Sequence, residues 1–160
     1  MKRLCIFLCV LFTLTGCGKD PAEDALASDG TIHAVVTLAD ETMDQLLAHV
    51  EGNGSIYTDE ETILWCDSAL GELSAGRGEI DAVSDAEGTE AYRTAAGTYI
   101  TNVETALQCI RDYLNTGEGT HLETVSGCFV AHDLYRISVD TARRDYFAQK
   151  GLDPDEMTGT

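Results

Sequence analysis

The chain has 160 residues, 28 of them acidic against ten lysines and arginines, for a net charge of −18 at pH 7. That length suits one domain with a core of its own. The charge repels phosphate backbones and anionic lipid headgroups, which excludes nucleic acid as a partner and favours cations, cationic peptides or basic proteins.

The chain opens on Lys2 and Arg3, followed by the apolar run Leu4 to Phe12 and then Leu14-Thr15-Gly16-Cys17. A basic start, a short apolar core and a small-residue cleavage site make a secretory signal peptide. The run is too short to span a bilayer, which takes roughly 20 apolar residues. Its ending resembles the lipobox of bacterial lipoproteins: an aliphatic residue, a small residue, Gly, then Cys. The resemblance implies removal of residues 1–16 and an acylated Cys17 that anchors the mature chain in a lipid bilayer. Eight basic residues then face 28 acidic ones, a mature charge of −20. Gram-negative lipoproteins retained in the inner membrane commonly carry Asp after the Cys. Gly18 stands there instead, so the resemblance implies the outer membrane, or the cell surface in a Gram-positive source.

Residues 17–30 read as the lipidated Cys and a flexible tether, with Leu26 the only large apolar residue. From Thr31, the positions Ile32, Val36, Ala39, Met43, Leu46 and Val50 step by threes and fours, which predicts a first helix ending at Gly52-Asn53-Gly54. Thr58 and Glu61 have capping-box spacing for a second helix, with Ile63, Cys66, Leu70 and Leu73 as its seam and Gly76-Arg77-Gly78 as its end. Residues 79–88 are then a connector. The strongest periodicity is Tyr92, Ala96, Tyr99, Val103, Ala106, Ile110 and Tyr113, in a third helix from about Thr89 to Asn115. A fourth helix opens with a second capping-box pair, Thr120 and Glu123. It carries Val125, Cys128, Tyr135, Val139, Ala142 and Tyr146, with Val130, Leu134 and Ile137 widening the same face, and closes at Gly151 and Pro154. The expected fold is all-α: an up-down four-helix bundle over residues 31–152, on a flexible N-terminal tether, with a short tail at 153–160.

Three cysteines remain after Cys5, Cys9 and Cys17 are set aside. Cys109 and Cys128 lie nearly symmetrically about Glu118, which predicts a disulfide locking the last two helices, with Cys66 a buried thiol. Pairings of Cys66 with either of the others stay open. In an oxidising compartment the disulfide outweighs the alternative, a metal site built from Cys66, Cys128 and His132.

Other constellations fall short. Glu118 and His121 have the Glu-x-x-His spacing of di-metal bundles, but only once and across a loop. The turn from Glu51 to Thr62 puts Ile56 and Thr62 where an EF-hand needs Gly and Glu. No Cys-x-x-Cys-His motif, nucleophile elbow or phosphate-binding loop occurs, and no cofactor is implied. The tyrosines at helical spacing read as core residues with hydroxyls at its rim. Trp65, off the seam, reads as packed rather than as an exposed anchor. The reading is a membrane-anchored acidic lipoprotein with a non-catalytic structural or protein-interaction role. The alternative is a small-molecule or metal-binding lipoprotein.

Overall fold

The computed structural model describes residues 21–51, 58–83 and 88–153. The expected signal peptide, Cys17, the expected helix stop at Gly52-Asn53-Gly54 and Pro154 lie outside them. Four helices follow one another: α1 (Pro21–Glu51), α2 (Asp59–Ala82), α3 (Thr89–Thr116) and α4 (Thr120–Gln149). There is no strand among the described residues.

The up-down topology is visible in the cross-helix pairs. Val35 meets Gly76 and His49 stacks on Trp65, so α1 and α2 run antiparallel. Arg77 pairs with Glu104 and Arg111 with Asp67, which makes α2 and α3 antiparallel as well. α3 is the hub. It packs most extensively on α4, then on α2, and on α1 last, whereas the backbones of α1 and α4 stand apart.

The α3 stripe is buried as its periodicity dictates: Tyr92, Ala96, Tyr99, Val103 and Ala106 are fully enclosed, joined by Ile100 and Leu107. Ile32, Val36, Ala39, Met43 and Leu46 of α1 close over it, while Val50 is exposed. α2 contributes a seam at Thr62, Cys66, Ala69, Leu73, Gly76 and Ile80, so its buried line is shifted from the one expected through Ile63 and Leu70. Trp65 is half-buried, stacked on His49 at 4.8 Å.

Three boundaries differ from expectation. The segment expected to be tether is helical from Pro21, because Ala25, Ser28 and Asp29 have something to bury against. Tyr146 approaches the Ala25 carbonyl at 3.5 Å, and Tyr92 and Arg143 bond Asp29. α2 runs through Gly76-Arg77-Gly78 to Ala82. Gly76 is there for clearance: a Cβ on it would lie 2.6 Å from Val35 Cγ1. Thr120 does not cap α4, whose N-cap is Gly119 with no side-chain bond. The Thr58–Glu61 capping box does form, with the Glu61 carboxylate accepting from the Thr58 N–H at 2.7 Å. That bonding holds the Glu61 carboxyl below its ordinary range.

The ends of α3 and α4 are set by backbone freedom. Gly117 (φ 72°) and Gly151 (φ 69°) adopt the left-handed conformation in which glycine carries no Cβ penalty. Their amides, and that of Leu152, satisfy carbonyls of the preceding turn.

Candidate functional site

Where α1, α3 and α4 converge, the same three residue types meet twice. In the first cluster, Arg143 of α4 grips Asp29 of α1 with Nε and Nη2, each at 2.7 Å from one carboxylate oxygen. The buried Tyr92 hydroxyl of α3 donates to the same carboxylate at 3.1 Å. In the second, Arg136 of α4 pairs with Asp40 of α1, and Tyr99 of α3 donates its hydroxyl to that carboxylate. Ascending α1 and α3 from Asp29 and Tyr92 to Asp40 and Tyr99 means descending α4 from Arg143 to Arg136. The clusters are therefore two rungs of one antiparallel ladder.

Burial and the adjacent carboxylates hold both phenols well above the ordinary tyrosine range. For Tyr92 the desolvation is joined by Asp29, and for Tyr99 by Asp44 and Asp133. His33, beside the first cluster, is held below its ordinary value by partial burial and by Arg143.

The two rungs differ in exposure. The Asp29 and Arg143 side chains are 9% and 19% exposed, whereas Asp40 and Arg136 are 23% and 34% exposed. The second rung opens into a shallow groove of about 520 Å³ between α1 and α4, lined by Asp40, Asp44, His132, Asp133, Arg136, Ile137 and Asp140. Four carboxylates there face one guanidinium. Arg136 is committed to Asp40, with Asp140 at 4.0 Å from its Nε.

Ile137 leads from the groove onto the outer face of α4. Val130, Leu134 and Ile137 are 77%, 68% and 61% exposed. They do not widen the core face as expected. At 100° per residue they lie opposite Val125, Cys128, Val139 and Tyr146, which α4 buries against the rest of the bundle. On the far side of α4, a wider groove of about 750 Å³ runs along α3, lined largely by Thr94, Thr98, Ser138, Thr141 and alanines.

The predicted cysteine staple is not formed: Cys66, Cys109 and Cys128 are free thiols, and none lies at disulfide distance from another. The hairpin register explains why. Tyr99 faces His132, Asn102 bonds the Cys128 carbonyl at 3.1 Å, and the Cys109 thiol bonds Thr124. These pairs have their midpoints at Asn115 to Gly117, not at Glu118, so the two cysteines are offset along the hairpin. Burial raises both thiols above the ordinary range and pushes the enclosed Cys66 up to about 11. The suggested metal donors do not converge either. His132 turns its Nδ1 to Tyr99 at 3.2 Å, and no group of three or more His, Cys, Asp or Glu side chains among the described residues is disposed to hold a metal ion. His121 meets Glu118 at 3.8 Å near the exposed start of α4.

The sequence reading missed Asp29, Asp40, Arg136 and Arg143. A weak signal existed: Tyr92 and Tyr99 are seven apart, as are Arg136 and Arg143, a repeat of two helical turns on each element. Comparison with protein-family models, with curated proteins and with solved structures found no match to this chain.

Proposed function

We propose that this chain is a membrane-anchored acidic lipoprotein of the bacterial envelope with a non-catalytic, protein-interaction role. Cys17 is its lipid attachment point. The outer membrane is its place if the source is Gram-negative, and the cell surface otherwise. The observation that carries the interaction role is the exposed apolar line of Val130, Leu134 and Ile137. The bundle's core is complete without it, and contiguous exposed apolar surface marks contact with a partner. The lipobox resemblance supports the anchor. No helix among the described residues is long and apolar enough to cross a membrane. In this reading the acyl chains on Cys17 supply the attachment.

Two measurements in the native host test the reading. Metabolic labelling with a fatty acid should mark the wild-type chain, and Cys17→Ser should leave an unlabelled precursor; a processed, unlabelled form held at the membrane would overturn the anchor. A photo-crosslinking residue at Leu134 should give a discrete protein adduct. The same residue at Leu64, an equally exposed apolar site on α2, should not. No adduct from 130, 134 or 137 would overturn the interaction role.

A further inference from the structure

Resting on that interaction reading, we infer that the outer face of α4 and the acidic groove beside it together dock a cationic amphipathic helix of a partner protein. Val130, Leu134 and Ile137 occupy i, i+4 and i+7, a straight line about 10 Å long on a helix. That spacing accepts the apolar face of a second helix, whose own contacts recur at the same interval. The line does not end at its apolar edge. Ile137 also walls the groove that holds Asp40, Asp44, Asp133 and Asp140. A helix laid along Val130 to Ile137 therefore has one flank over a strip of carboxylates that Arg136 neutralises only in part. Lysines or arginines on that flank meet the charge, while leucine-like residues cover the stripe.

The same charges decide against the other occupants. A second copy pairing antiparallel on this stripe would be self-complementary about a point between Asp133 and Leu134. It would bring Asp133 close to its own counterpart and join two chains of net charge −18. An anionic membrane surface would be repelled by the same aspartates. Rim charges of this kind act chiefly on encounter rate and on choice of partner, so binding should weaken steeply with salt.

The test uses the full chain in mild detergent and two labelled peptides of about five helical turns. Both carry leucines at i, i+4 and i+7; one is flanked by lysines, the other by glutamates. Fluorescence anisotropy should show the lysine peptide binding at least about tenfold more tightly. Leu134→Ser with Ile137→Ser should weaken it by a similar factor, as should Asp133→Asn with Asp140→Asn. Circular dichroism melting of each variant confirms that it is folded. Equal binding of the lysine peptide to the folded stripe variant would mean diffuse attraction to an acidic surface, and overturns the site. So does a wild-type dimer in sedimentation that Leu134→Ser dissolves, which would make the occupant a second copy. If the lysine peptide does not bind while Leu134 still crosslinks to a protein in the host, the cationic helix is wrong and the interaction role stands. Loss of both overturns both.

Discussion

The two Asp–Tyr–Arg clusters are built from the same residue types on the same three helices, yet they differ in what they can do. Asp29 and Arg143 meet in a bidentate, nearly enclosed pair with the Tyr92 phenol as third partner. Asp40 and Arg136 meet at the rim, beside His132 and three further aspartates. The first spends its charge on holding α1 to α4, whose backbones do not otherwise pack closely. The second leaves carboxylate in excess at the surface. Burial, not residue identity, separates the enclosed strap from the open acidic rung, because desolvation raises the consequence of every unpaired charge.

The largest test of that contrast is Arg143→Ala. It strands the Asp29 carboxylate and should cost about 3 kcal/mol in urea unfolding; a loss as small as that of Arg136→Ala would make the two rungs equivalent. Gly76→Ala sharpens the contrast from the other side of α1. Its Cβ would lie 2.6 Å from the branched and stiff Val35 side chain, so about 1–3 kcal/mol should be lost. Being steric, that loss should not change with salt. Arg136→Ala should cost only about 0.2–1 kcal/mol and shrink as ionic strength rises. A salt-independent loss at Arg136 would move the second rung into the class of the first.

The last effect is confined to alkaline pH. Both phenols are raised above their ordinary value of 10.0. Above that pH the unfolded chain releases phenolic protons that the folded chain keeps, so stability falls as pH rises. Unfolding midpoints measured across this range should slope less in Tyr92→Phe and in Tyr99→Phe. An unchanged slope in both would remove the phenols as its source.

Legibility in the sequence followed the reach of each interaction. The Thr58–Glu61 box is three residues long and forms as read. Thr120 and Glu123 have the same spacing, but α4 takes Gly119 as its N-cap. The α3 stripe was readable because α3 touches all three other helices, so its buried face is wide and its period regular. α4 misled because it is apolar on two opposite faces. Val130, Leu134 and Ile137 have the composition of core residues, and only the burial of Cys128, Val139 and Tyr146 against the rest of the bundle turns them outward. Gly76 read as a helix end, since glycine disfavours helix interiors, until Val35 supplied the reason for a missing side chain. The cysteine pairing failed on register. Symmetry about a loop fixes helix heights only to within a turn, whereas a disulfide needs its Cα atoms within about 7 Å.

By itself the sequence determined four helices, the breaks between the last two, and the acidity of the whole. Each depends on spacing within one element or on a sum over the chain. Tertiary structure alone decided that α1 extends back to Pro21, that Asp29 and Asp40 find arginines 114 and 96 residues away, and which apolar face of α4 meets water. Those outcomes depend on which helix lies beside which, and neither periodicity nor composition carries that information.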